Sequence, residues 1–146
     1  MLSGSTRTTA RRAALVTFAV AALTAAALVA NAPAGSTAAP AVKTVLTEWK
    51  VKPSVATVRP GPVTFVVRNA GGIPHEFVIV RTNRQPRALP MKGSQAVETG
   101  EIGEIEELKP GQTKRLTVRL GPGKYVLLCN LPGHYQAGQS AAFRVS

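Results

Sequence analysis

An all-β domain is the fold class the sequence predicts for the chain from Lys43 onward. Three observations carry this: apolar residues recur with a period of two, Gly, Pro and Asn separate the short runs, and no sustained helical period follows the N-terminal segment. Taken in order, the candidate strands are Thr44–Lys50, Val63–Arg68, His75–Arg81, Arg115–Leu120, Lys124–Cys129 and Ala141–Val145. Val63, Phe65 and Val67 share one face of theirs; Leu116, Val118 and Leu120 face one way while Thr117 and Arg119 face the other. Arg59-Pro60-Gly61-Pro62 and Gly121-Pro122-Gly123 supply turns between them. Strands so spaced in about 110 residues indicate a sandwich or barrel.

The N-terminus reads differently. Residues 1–12 carry Arg7, Arg11 and Arg12 and no acid, and Ala13–Ala30 is apolar apart from Thr17 and Thr24. Ala30-Asn31-Ala32 and Ala32-Pro33-Ala34 both fit a small-residue cleavage site. Residues 1–34 therefore read as a secretory signal, which places the mature chain outside the cytoplasm: periplasmic, secreted or at the cell surface. The alternative is an uncleaved membrane anchor, since Ala13–Ala30 just reaches spanning length. An Ala-rich rather than Leu-rich composition favours cleavage. Arg11-Arg12 permits a twin-arginine route. Residues 35–42, rich in Ala, Ser, Thr and Pro, read as a linker, and residues 43–146 as the domain.

One stretch breaks the strand pattern. Residues 82–112 hold Pro86, Pro90, Gly93, Gly100, Gly103 and Pro110, and five of the seven glutamates fall between Glu98 and Glu107. It reads as a long surface excursion with one helical turn. An acidic docking patch is the functional alternative; a hard-cation site is less favoured, because nothing holds the glutamates in one geometry.

Composition removes several classes of chemistry. A single cysteine excludes an internal disulfide, a cysteine-only metal site and an iron–sulfur cluster. The absence of Asp excludes paired-Asp catalysis and Asp-rich calcium loops. The formal charge is +11, from 18 Lys and Arg against seven Glu, and falls to +8 without Arg7, Arg11 and Arg12. That charge reads as a solvated cationic surface or as attraction to an acidic protein or anionic surface. Nucleic acid is a poor fit, for want of aromatics and of a basic cluster.

The remaining chemistry lies in two motifs. The first runs Asn69-Ala-Gly-Gly-Ile-Pro74-His75-Glu-Phe-Val-Ile-Val80, and alternation puts His75 on the face of Phe77 and Ile79. The second runs Gly123-Lys-Tyr-Val-Leu-Leu-Cys129-Asn-Leu-Pro-Gly-His134-Tyr-Gln-Ala-Gly-Gln139, with Tyr125, Leu127 and Cys129 on one face. An inward histidine alone is usually a satisfied core residue, and a single cysteine usually an inert buried thiol. Here both histidines and the only cysteine fall inside the two motifs, and Cys129 and His134 flank a tight loop. With His75 from a neighbouring strand they can surround one point. A trigonal His₂Cys set with a weak axial ligand is what a type 1 copper site requires.

Through the Pro-His-Glu-Phe strand start and the Cys-x₄-His-x₄ loop with its Leu-Pro-Gly-His-Tyr-Gln-Ala-Gly run, the mature chain resembles the cupredoxin family of small blue copper proteins. The resemblance implies a Greek-key β-sandwich or barrel of about seven or eight strands, with His75, Cys129 and His134 as equatorial ligands of one copper ion. The family's axial position, usually methionine, falls on Gln139, as in stellacyanin-like members. Those plant proteins carry a disulfide that this chain cannot form. The resemblance further implies a one-electron carrier. In such a carrier the edge of His134 serves as the electron exit, Leu131, Pro132, Gly133 and Tyr135 form an apolar rim, and the Leu131 N–H bonds the Cys129 sulfur. The implied partner is a redox protein, a cytochrome or an oxidase or reductase, with an acidic docking surface; a monomer is expected. Two histidines are too few for a multicopper oxidase or nitrite reductase, so no enzymatic activity is expected. The competing readings are an extracytoplasmic copper-binding or delivery protein without an electron-transfer role, and a metal-free β-sandwich binding module.

Overall fold

The computed structural model describes Gly4 and residues 39–146. The signal or anchor read over residues 1–34 lies outside the described residues, Gly4 aside. Among the described residues no helix is long and apolar enough to cross a membrane.

Eleven strands follow in order: β1 (Ala41–Thr47), β2 (Lys50–Pro53), β3 (Thr57–Val58), β4 (Gly61–Asn69), β5 (His75–Arg81), β6 (Met91–Lys92), β7 (Gln95–Ala96), β8 (Glu101–Leu108), β9 (Thr113–Leu120), β10 (Gly123–Leu128) and β11 (Ser140–Val145). Eight of them have four residues or more, which is the β-sandwich expected. One sheet runs β2-β1-β4-β9 and the other β3-β11-β10-β5-β8, with β6 and β7 pairing as a separate hairpin. The core between the sheets takes Val42, Leu46, Val63, Phe65 and Val67 from the first and Phe77, Ile79, Tyr125, Leu127 and Phe143 from the second. Phe65 anchors it, its ring 5.3 Å from that of Phe77 and 5.4 Å from that of Phe143.

Three boundaries differ from the sequence reading, each for a packing reason. β1 begins inside the stretch read as a linker, because Val42 is apolar, pairs with Phe65 of the parallel strand β4 and is buried. The run Thr44–Lys50 is not one strand. It turns at Glu48-Trp49, so that Thr47 pairs with Lys50 across a two-residue hairpin loop. The excursion over residues 82–112 contains no helix; the glutamates lie on and just before β8, an edge strand paired with β5. Register shifts in that ladder, between His75 and Phe77 and between Ile79 and Val80, break the alternation. As a result the inward Ile105 and Leu108 stand three apart, a spacing that mimics a helical face.

The rest of the excursion covers the outer face of the second sheet. Val78 and Val80 of β5 and Val126 and Leu128 of β10 point away from the main core and pack with Leu89, Ala96 and Tyr135 in a second cluster. β5 and β10 are thus buried on both faces, which makes them the least mobile frame on which to mount a site.

Phe65→Ala should lower stability by about 3–5 kcal/mol. Urea unfolding with an unchanged slope checks it, and a loss below about 1 kcal/mol would show that the three rings do not hold the sheets together.

Candidate metal centre

The site forms where the β5–β10 ladder stops. The last paired residues are Leu128 and Val78. Past them, side chains take over the backbone bonding. The Glu76 N–H donates to the Cys129 sulfur at 3.3 Å, and the Asn130 N–H donates to a Glu76 carboxylate oxygen at 2.6 Å. Cys129 N–H in turn bonds the Gln139 carbonyl at 3.1 Å, closing the loop 129–139 at its neck. Within the loop, His134 N–H bonds the Leu131 carbonyl and Gln139 N–H the His134 carbonyl, so the donors are fixed by tight turns.

His75 is positioned from the other side. The buried Asn69 side chain donates to the carbonyls of Ile73 and Leu108, both at 2.8 Å, and accepts from the Gly71 N–H at 2.9 Å. A Glu48 carboxylate oxygen accepts from the Gly72 N–H at 2.6 Å. These bonds hold the irregular stretch 70–74 against the hairpin tip and aim the first residue of β5 inward.

The outer excursion grips the same loop. The Asn130 side chain accepts from Ala96 N–H at 2.6 Å and donates to the Ala96 carbonyl at 2.9 Å, while Gln95 donates to the Asn130 carbonyl at 2.9 Å. Gly133 N–H bonds the Ser94 carbonyl, and the Tyr135 hydroxyl accepts from Leu89 N–H at 2.9 Å. Tyr135 is therefore an inward anchor and not part of an exposed rim; Leu131, Pro132 and Gly133 keep partial or full exposure.

At the centre, His75 Nδ1 and His134 Nδ1 lie 3.3 Å apart, and the Cys129 sulfur lies 3.3 Å from His134 Nδ1 and 3.9 Å from His75 Nδ1. One ion bonded at ~2.0–2.3 Å to two imidazoles and a thiolate holds such donors roughly 3.5 Å apart, so the set fits a single ion. Two imidazoles with one thiolate suit a type 1 copper ion. Gln139 belongs to the same group and is fully buried. Its amide nitrogen donates to the Thr47 carbonyl at 2.9 Å and sits 3.0 Å from His75 Nδ1, while its Oε1 is buried without a partner. The nitrogen and not the oxygen faces His75, so axial ligation through Oε1 calls for a half-turn of the amide that gives up the Thr47 bond. An orphaned buried oxygen costs about 1–3 kcal/mol, which favours that turn when a cation is present to accept it.

Burial disfavours charge on the donors. Burial, with the neighbouring His134, lowers the pKa of His75 and keeps its ring neutral, Glu48 pulling the other way. Burial pushes the Cys129 thiol up to about 11, opposed by the Glu76 and Leu131 amides. The expected sulfur donor Leu131 thus adds only a weaker pull behind that of Glu76, whose N–H is the one at bonding distance. Burial also lifts the Glu76 carboxyl to about 7, against its Asn130 N–H bond and with help from Glu98 and Glu104.

Sequence reasoning passed over Trp49, whose ring packs edge-on to that of His134 with centroids 5.3 Å apart. The carboxylates of Glu98, Glu101 and Glu104 do approach within 4.8 Å of one another, and Glu98 and Glu104 line a cleft together with Glu76 and Asn130. Glu101 and Glu104 are exposed.

The sequence profile described as a cupredoxin-like domain matches residues 16–139. Among relatives, the copper-resistant cuproprotein CopI of Vibrio cholerae serotype O1 is 37% identical over 84 residues, covering 56% of this chain and 50% of CopI. The iron uptake system component EfeO of Escherichia coli K12 is 32% identical over 112 residues, covering 77% of this chain and 24% of EfeO. The chain thus spans half the length of the first and about a quarter of the second. Among solved structures, reduced auracyanin from Roseiflexus castenholzii aligns with TM-score 0.60 at 24% identity, covering 75% of this chain and 98% of auracyanin. Rusticyanin from Thiobacillus ferrooxidans aligns with TM-score 0.56 at 17% identity, covering 75% and 79%.

A thiol that holds its proton to about 11 must release it when it binds a metal as thiolate. Copper uptake by the metal-free protein between neutral pH and about 9 should release roughly one proton per site, with apparent affinity rising with pH. A pH-stat titration measures this; uptake with no proton release would mean that Cys129 does not bind as thiolate.

Proposed function

Because the chain belongs to the cupredoxin-like family, we propose that it is an exported carrier of single electrons, with one copper ion held by His75, Cys129 and His134 and with Gln139 in the axial position. The observation that carries the reading is the convergence of two Nδ1 atoms and one thiol sulfur within 3.9 Å in a buried pocket whose only half-buried member is His134. Copper bound there supplies a one-electron couple. Everything else is the work of the chain. The closed loop 129–139 and the two-faced burial of β5 and β10 hold the donors against rearrangement when the charge at the centre changes. Exclusion of water by the core limits solvent reorganisation for the same reason.

His134 is the natural exit, since His75, Cys129 and Gln139 are sealed from solvent. Leu131, Pro132 and Gly133 beside it suit a weak, transient contact. The cationic mature surface, with the Arg87 guanidinium lying against Gly138 of the ligand loop, favours a redox partner with an acidic docking face. With both histidines and the cysteine committed to one centre, no second His–Cys site can form, which favours carriage over catalysis. The N-terminal basic and apolar segment supports export, and the mature carrier acts as a monomer.

Likeness to CopI, a protein named for copper resistance, favours one other reading: an extracytoplasmic copper-binding or delivery protein. Colour and cycling separate the two. The carrier should turn intensely blue with Cu(II), bleach and recover through reduction and oxidation, and lose the colour in Cys129→Ser. A colourless complex, or one that gives up copper on reduction, would favour delivery. Gln139→Met should raise the reduction potential, because an amide oxygen favours Cu(II) more than a thioether does; voltammetry showing equal or lower potential would remove Gln139 from the axial role. Raising ionic strength should slow exchange with an acidic partner, and salt-independent rates would remove the steering.

A further inference from the structure

Trp49 is the chain's only tryptophan, and it occupies the least comfortable backbone position among its described residues. Its φ is +64°, the only non-glycine value in the left-handed region, at the second position of the β1–β2 turn. A bulky residue there bears a steric cost that Asn or Gly largely avoids. Strain kept at one turn residue calls for a compensating role. Burial does not provide it, because the residue is 45% exposed. The tip that carries the ring is tied to the metal centre from three directions. Glu48 accepts from Gly72 N–H at 2.6 Å, the indole meets the His134 ring edge-on at 5.3 Å, and Thr47 accepts from the Gln139 amide at 2.9 Å, a bond that copper ligation by Gln139 would release.

We propose that Trp49 is the outlet of the redox centre, an indole held in van der Waals range of His134 that carries the electron from that imidazole to the protein surface. The inference rests on the electron-carrier reading above. The indole keeps its own oxidation state, because the electron tunnels across it. In an exchange between two copies, Cu(I) of one becomes Cu(II) as Cu(II) of the other becomes Cu(I), and no proton or further reactant is needed. The indole widens the outlet from the edge of one half-buried imidazole to a flat exposed ring, so that partners need not meet His134 itself.

The test uses the copper-loaded protein and its Trp49→Asn and Trp49→Phe variants. Electron self-exchange is read from NMR line broadening in mixed Cu(I) and Cu(II) samples, in enough salt to screen repulsion between cationic copies. Asn suits the left-handed turn, so the metal-free Trp49→Asn protein should unfold at a midpoint no lower than the parent's. Its blue absorption and potential should be unchanged. Self-exchange should fall severalfold, because the electron must then leave from the half-buried edge of His134. Trp49→Phe, which keeps a ring over His134, should recover most of the rate. In the parent, Cu(II) uptake should quench the fluorescence of this single indole. Parent-like exchange in Trp49→Asn overturns the proposal. So does a loss of exchange accompanied by a shifted spectrum and potential, because the ring would then be shaping the site. Slow exchange in the parent itself overturns the carrier reading, and this proposal with it.

Discussion

Everything about this centre depends on how one β-ladder ends. Strands β5 and β10 pair until Val78 and Leu128, and the next bonds are made by a thiol and a carboxylate instead of carbonyls. Because the substitution happens in register, Cys129 cannot shift along its strand without breaking both the Glu76–Cys129 and the Asn130–Glu76 contacts. The donors inherit the rigidity of a sheet while standing outside its regular pattern. That is the combination the proposed electron-carrying role calls for, since each change of charge otherwise drives movement of ligands and solvent.

The second layer of the structure protects that arrangement. The excursion between β5 and β8 is a lid for the outer faces of β5 and β10 as well as a brace for the ligand loop. Asn130, Tyr135 and Gly133 each hand a bond to it. Residues that look like generic loop punctuation thus decide where His134 stands. Trp49 completes the enclosure from the opposite side, on a turn belonging to the other sheet.

The centre was more legible in the sequence than its surroundings. His75, Cys129 and His134 could be found because the chain spends no other histidine or cysteine, and because strand alternation pointed His75 and Cys129 inward. The alternating strands β4 and β9 were readable for the same reason: one face of each is apolar or more buried than the other. β8 was not, since bulges in its ladder place Ile105 and Leu108 at a helix-like spacing. Nor could Tyr135 be told from a rim residue, as its burial is created by Leu89 and Ala96, which are far away in sequence. Trp49 left one readable trace, a lone tryptophan beside a turn, but only the three-dimensional approach of the hairpin to His134 gives that trace meaning.

The brace has a consequence for anyone who would transplant this loop. Residues 129–139 look like a portable cassette: one strand end, one closed loop, and Cys129, His134 and Gln139 along it. They are portable only with residues 87–96, because Ser94, Gln95, Ala96 and Leu89 supply the anchors and the Arg87 guanidinium fills the space that any side chain at Gly138 would claim. In modular terms the unit of exchange is a pair of distant segments, and a graft that lengthens one must rebuild the other.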